Sequence, residues 1–233
     1  MSAPLRAALV LVLIAAAGAL GFVAYRWFAA GSPAASVARE DTSAAASSRA
    51  ARLGSAAPAP KRTLAATRPV FALQDREGKL RSITEWDGKS LVINFWATWC
   101  APCRREIPML RELHRARAGE NVEVIGIAVD FRDQVVAYAD RMQIDYPILI
   151  GEQEGLDAAE AFGVGMIGLP FTVFTDKQGR VVTAHLGELH RPEADLILDA
   201  VSAINKGEVS LEKGQEQIAA GMKAAGRKAA QPG

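Results

Sequence analysis

The chain has 233 residues, half of them apolar and 23% charged, and its 27 Lys and Arg against 26 Asp and Glu leave a net charge of +1. That near balance excludes the basic field that gathers nucleic acid phosphates, so no nucleic acid partner is expected. Two cysteines, Cys100 and Cys103, are too few for a disulfide scaffold, and the length suits one domain of about 150 residues with added segments.

Residues 1–28 read as an N-terminal membrane anchor. Ala7 to Tyr25 carries no charge, and as a helix rising about 1.5 Å per residue it spans roughly 30 Å, the thickness of a bilayer core. Arg6 precedes the run, and Arg26 with Trp27 follows it at headgroup level. Ser36-Val37-Ala38 offers small residues for signal-peptide cleavage, but the run exceeds the h-region length of about 7 to 15 residues, which favours a retained anchor. A short head ahead of an anchor tends to stay in the cytoplasm, which sends the rest of the chain across, although one arginine on each side makes the charge bias weak. Residues 29–67, rich in Ala, Ser and Pro, have too few large apolar groups to bury themselves and are expected to be a tether spanning on the order of 35 Å.

The pattern of a folded domain occupies residues 68–205. PVFALQDREGKLRSITEW has two short apolar runs about Asp75 to Gly78 and predicts a β-hairpin. Leu91 to Trp96, LVINFW, is a continuous apolar run of the kind buried on both faces of a sheet. It leads straight into the cysteines. RREIPMLRELHRARA then places Ile107, Leu110 and Leu113 at helical spacing, with Pro108 as an expected kink, and Val122 to Val129 reads as another buried strand. Strand, helix, strand implies a right-handed crossover and a parallel pair. Further on, the pattern predicts a helix over Arg132 to Met142, a strand over Tyr146 to Ile150 and a helix over Leu156 to Phe162. Two strands, Phe171 to Phe174 and Val181 to Leu186, are joined by a turn at Gly179, and a last helix over Leu196 to Ile204 begins near Pro192. The class is therefore α/β, a mixed sheet flanked by helices. Residues 206–233, rich in Ala, Gly, Lys and Gln without a clear apolar face, are expected as a frayed helix or disorder.

A Cys-x-x-Cys pair can be half a metal site, a staple or a redox dithiol. The other half of a metal site is missing, since no further cysteine exists and His114, His185 and His190 do not cluster at ligand spacing in the sequence. A staple closing so short a loop contributes little stability. The dithiol reading fits: Cys100 follows a buried strand and opens a helix whose free N–H groups and dipole favour thiolate, which makes it the nucleophile. Cys103, one turn further, is the resolving thiol. Pro102 costs nothing in the first turn and stiffens the loop. Glu106, a turn beyond Cys103, is either an ordinary surface charge or a carboxylate that takes the proton of Cys103, for which burial would need to raise its pKa.

The phrases WATWCAPC and RREIP resemble the thioredoxin superfamily, specifically its TlpA/ResA-like branch of membrane-anchored thiol-disulfide oxidoreductases, over roughly Pro69 to Ile204. That resemblance implies a thioredoxin-like fold with an N-terminal hairpin and an insert between Val129 and Gly165. It implies that Pro170 in GLPFTVF is a cis-proline opposite the cysteines, and that the backbone at Leu169 pairs with an extended client segment. Trp99, Ala101 and Pro102 would touch that client, Trp96, Trp99 and Pro170 would shape the contact surface, and Glu106 matches a glutamate of the branch that acts near the active site. Asn94 departs from thioredoxin, which has a buried Asp six residues before the first cysteine. The resemblance further implies a single-pass protein of the bacterial inner membrane with its catalytic domain in the periplasm. It would need no cofactor, reduce disulfides of clients such as apocytochrome c, and be reduced by a membrane thiol-disulfide donor. A disulfide-forming oxidase, a peroxidase and a copper metallochaperone are the alternatives; direction between reductase and oxidase depends on dithiol stability, which the motif does not fix.

Overall fold

The computed structural model describes residues 63–164 and 168–229, and side chains through 225. The anchor expected at Ala7 to Tyr25, the cleavage alternative at Ser36 to Ala38 and the tether up to residue 62 lie outside the described residues. Among the described residues, no helix is long and apolar enough to cross a membrane.

Seven strands form one mixed sheet in the order β2-β1-β5-β4-β3-β6-β7. They are β1 (Ala72–Asp75), β2 (Leu80–Ser82), β3 (Ser90–Trp96), β4 (Val122–Ala128), β5 (Ile148–Ile150), β6 (Phe171–Thr175) and β7 (Val181–Leu186). The helices are α1 (Ala101–Arg117), α2 (Arg132–Arg141), α3 (Gln153–Ala161), α4 (Arg191–Lys206) and α5 (Leu211–Ala229). The expected hairpin forms because Asp75 Oδ1 accepts from the N–H groups of Glu77 at 3.1 Å and Lys79 at 2.8 Å, while Gly78 takes φ 82°. β3, β4 and β5 run parallel, and β6 returns antiparallel on the other side of β3. The stretch expected as an insert supplies α2, β5 and α3, and β5 links the hairpin to the rest of the sheet through its pairing with β1.

β3 is buried along its whole length, and its alternate residues feed two cores. Val92 and Trp96 pack with Ile107, Leu110 and Leu113 of α1 and Ile197, Leu198 and Val201 of α4. Leu91, Ile93 and Phe95 pack on the opposite face with Ile83, Trp86, Ala158, Ala159 and Phe162. Phe95 stacks on Phe171 at 4.4 Å and meets Phe162 edge-on at 6.0 Å. Asn94, on the Val92 side, has Gly126 of β4 and Thr172 of β6 as its register partners.

Some boundaries differ from the sequence pattern. The strand expected from Tyr146 begins at Ile148, after Pro147, which has no N–H for a ladder. The helix expected over Leu156 to Phe162 spans Gln153–Ala161, and α1 continues through Pro108 to Arg117. The tail, expected as a frayed helix or disorder, forms the helix α5 over its described residues and packs on α4. Its Ile218 is buried in the α4 core, with Leu211 and Met222 packed against it. A Cβ added at Gly214 or Gly221 would overlap Ile204 or Leu196, so both glycines bring α5 close to α4. Gln215 Nε2 also donates to the Val182 carbonyl at 3.1 Å. Glycines make this stripe by allowing close approach, which a hydropathy pattern does not register.

Phe162 is fully buried between Phe71 and Phe95 on the face away from α1. Replacing it with Ala is expected to cost about 3–5 kcal/mol, read as a lower midpoint in chemical denaturation with an unchanged slope.

Candidate active site

β3 ends at Trp96, and the chain turns once before Cys100 caps α1. Cys100 N donates to Ala97 O at 3.2 Å, and Cys100 itself is the extended N-cap residue, φ −79° and ψ 108°. Its sulfur accepts from the Cys103 N–H at 3.3 Å. Cys100 and Cys103 are joined as a disulfide with Cα atoms 5.3 Å apart. Cys100 keeps 5% exposure and Cys103 none, so the N-cap sulfur is the accessible one. In the reduced state the same N–H and the positive helix end would favour a thiolate there.

The loop before Cys100 is tied to the loop after β4. Asp130, buried, accepts from Thr98 N at 2.9 Å and from the N–H of Phe131 at 2.8 Å, and also holds the Thr98 hydroxyl. This leaves Trp99 at 68% exposure and Phe131 at 57%, two aromatic residues on linked loops beside the disulfide. Ala101 is exposed, and Pro102 and Leu169 are half-buried. Trp96 corrects the sequence reading: it is fully buried against Tyr138 at 5.7 Å, because β3 is covered on both faces, and it does not reach the surface. Phe131 was not singled out by the sequence, since an exposed aromatic after a strand has no signature of its own.

The Leu169-Pro170 bond is cis. Pro170 is buried, its carbonyl accepts from Gly187 N at 2.9 Å, and β6 starts at the next residue. Because Phe171 pairs with Phe95, Pro170 stands across from Trp96, at the end of the sheet where β3 delivers the cysteines.

Glu106 lies on α1 three residues after Cys103, hence on the same helix face. It is 2% exposed. Its Oε1 accepts from Asn94 Nδ2 and its Oε2 from the Leu189 N–H, both at 2.7 Å. Burial pushes its pKa up to about 7, against the opposing pull of those two donors; the Glu188 charge adds to the rise and His190 opposes it. The ordinary surface-charge reading of Glu106 thus gives way to a buried, doubly bonded carboxyl. Asn94 also donates to Thr172 Oγ1 at 3.0 Å. Arg104 and Arg105 are exposed, and Arg105 pairs with Glu188 on the loop that carries Leu189.

Two of the histidines come together in space although their spacing did not suggest it. His185 and His190 lie 3.2 Å and 3.1 Å from the Glu188 carbonyl, and His114 sits apart near Glu123. Among the described residues, no group of three His, Cys, Asp or Glu side chains is placed to hold a metal ion.

The raised pKa of Glu106 sets a pH dependence of stability. A carboxyl near 7 in the folded chain and about 4.3 in the unfolded one lets the folded state bind the extra proton between those values. The wild type therefore loses stability as pH rises through this window, by up to about 3 kcal/mol, and Glu106→Gln should not. Urea denaturation at pH 4.5 and pH 8 is expected to show the difference between the two proteins moving in favour of the variant at pH 8; a difference independent of pH would contradict it.

Residues 65–184 match the family model of the AhpC/TSA family. The thiol-disulfide oxidoreductase ResA of Geobacillus thermodenitrificans is 34% identical over 136 residues, 58% of this chain and 76% of that protein. The thioredoxin-like protein YneN of Bacillus subtilis is 32% identical over 137 residues, covering 56% of this chain and 76% of YneN. Among solved structures, a thiol:disulfide interchange protein of the thioredoxin family from Chlorobium tepidum aligns with TM-score 0.53 and 29% identity, over 58% of this chain and 95% of its own. With its cysteine pair at the head of α1 and this likeness to named relatives, the chain belongs to the AhpC/TSA family as a thioredoxin-like, ResA-like thiol-disulfide oxidoreductase.

Proposed function

We propose that this oxidoreductase is held in the bacterial inner membrane by residues 7–25, faces the periplasm, and reduces disulfides of client proteins such as apocytochrome c. The observation that carries the exchange chemistry is the Cys100–Cys103 disulfide at the head of α1 with the buried Glu106 carboxyl one turn below it. The charge-free run from Ala7 to Tyr25 supports the anchor, and the likeness to ResA supports the class of reaction.

The cycle starts from the dithiol. The Cys100 thiolate attacks one sulfur of a client disulfide; a Cys100–client disulfide forms and the other client sulfur leaves as a thiolate that takes up a proton. Cys103 then gives its proton to ionised Glu106 and attacks Cys100 Sγ, so the Cys100–Cys103 bond forms and the second client thiolate is released and protonated. Two electrons and two protons have passed to the client. A carboxyl with pKa about 7 is suited to take a proton at neutral pH and lose it again. A membrane dithiol donor returns two electrons and two protons to restore Cys100 and Cys103.

In this cycle Trp99, Ala101, Pro102 and Leu169 contact the client, and Phe131 extends the apolar rim. Glu106 is the proton acceptor, and Pro170 bounds the place where client and sulfur meet.

Replacing the resolving thiol tests the reading. Cys103→Ser is expected to hold clients on Cys100 as stable mixed disulfides, and Cys100→Ser is expected to hold none. The captured proteins should accumulate in the disulfide form in cells that lack this chain. Capture by neither variant would refute the exchange cycle, and captured clients that accumulate as free thiols would reverse its direction.

A further inference from the structure

Asn94 sits in the middle of β3 with no solvent exposure, and the row it shares across the sheet is sparse. Thr172 lies on one side of it, and on the other is Gly126, where an added Cβ would stand 2.9 Å from Trp96 Nε1 and 3.2 Å from the Tyr146 ring. The side chain spends both N–H groups, one on Glu106 Oε1 at 2.7 Å and one on Thr172 Oγ1 at 3.0 Å, while its Oδ1 has no hydrogen-bond partner among the described residues. Its contribution at this site is that of a donor.

We propose that Asn94 is the positioning residue of the proton-accepting carboxyl: its amide favours the ionised form of Glu106 and fixes that carboxyl to the strand that follows Pro170. The proposal rests on the reading of Glu106 as proton acceptor for Cys103.

Physical chemistry distinguishes Asn from Asp and Leu at this position. An Asp at 94 has no N–H when ionised, so it would set two carboxylates face to face and drive one of them to stay protonated. A Leu would fill the space but withdraw one of the two donors that the described residues offer to a buried charge. In this chain the acid stands on the helix and the donor on the strand, the reverse of a strand-borne acid. Thr172, two residues past Pro170, completes the connection, so helix α1, β3 and β6 meet at one amide.

Other groups face Glu106 as well. From the loop between β7 and α4 come the Leu189 N–H, the Glu188 carboxylate, which disfavours ionisation, and His190, which favours it. Arg105, on the same helix, is engaged by Glu188, Tyr146 lies ahead of β5 within electrostatic reach, and Cys103 precedes Glu106 by one turn. Of these only Asn94 and Leu189 donate hydrogen bonds to the carboxyl, and only Asn94 does so through a side chain.

The test is a titration of the full chain carrying 13C at the glutamate side-chain carboxyls, with the Glu106 signal assigned by its loss in Glu106→Gln. The wild-type midpoint is expected near neutrality. Asn94→Leu and Asn94→Ala are each expected to raise it by about one pH unit or more, whereas Thr172→Val, which leaves the Asn94 to Glu106 bond, should move it by less than half of that. At pH 7 a one-unit rise lowers the ionised fraction about fivefold, and resolution of a mixed disulfide should slow to match. If Asn94→Leu does not fold, Asn94→Ala, which removes the donor without adding a charge, gives the same readout. A midpoint unchanged in a folded Asn94 variant would overturn the proposal. A midpoint that moves while the resolution rate stays constant would leave Asn94 as the positioning residue of Glu106 and refute Glu106 as proton acceptor.

Discussion

The carboxyl of Glu106 is gripped on both oxygens by groups far apart in the chain, Asn94 on the central strand and Leu189 on the loop before α4. Taking a carboxyl out of water costs several kcal/mol unless donors replace the lost hydration, and two donors at 2.7 Å do so only in part. The remainder is stored as a raised pKa. The consequence is structural as well as chemical: the helix that carries both cysteines is fixed to β3 at the turn below Cys103, and a carboxyl with a pKa near neutrality is held in the core where it would otherwise be expelled into solvent.

The sheet makes that placement feasible. β3 delivers Cys100 at one end and Asn94 at its middle, and β6 lies antiparallel beside it, so the residue before β6 is Pro170, level with the strand end that precedes the cysteines. Thr98 and Asp130 hold the intervening loop against the start of α2, which exposes Trp99 and Phe131 without loosening the Cys100 cap. The cysteine pair, the buried carboxyl and the two exposed aromatic residues thus draw on one central strand and the two loops at its end.

Much of this was legible because it is local. LVINFW announced a doubly buried strand, Cys100 fell at a strand-to-helix junction, and Glu106 fell three residues past Cys103 at the spacing that shares a helix face. Pro170 was legible through resemblance. What the pattern did not carry were pairings over long separations: Leu189 N–H on Glu106, Thr98 on Asp130, and β5 set between β4 and β1. Asn94 shows the difference well. From sequence it registers as the loss of an acid, and only the packing of α1 on β3 reveals it as a donor to the acid on the next element. Trp96 misled in the opposite sense, since the resemblance placed it at the contact surface while a strand covered on both faces keeps it in the core. In α5, Gly214 and Gly221 act by letting helices touch, which composition reads as weakness.

The central claim is that Glu106 takes the proton of Cys103 as the mixed disulfide resolves. Its most direct test is a single-turnover reaction of the reduced protein with a disulfide-containing peptide, in which formation and decay of the Cys100–peptide disulfide are timed separately for wild type and Glu106→Gln. The account predicts equal formation rates and a decay slowed by about a hundredfold or more in the variant at pH 7. Decay at the wild-type rate, or a loss confined to formation, would contradict it.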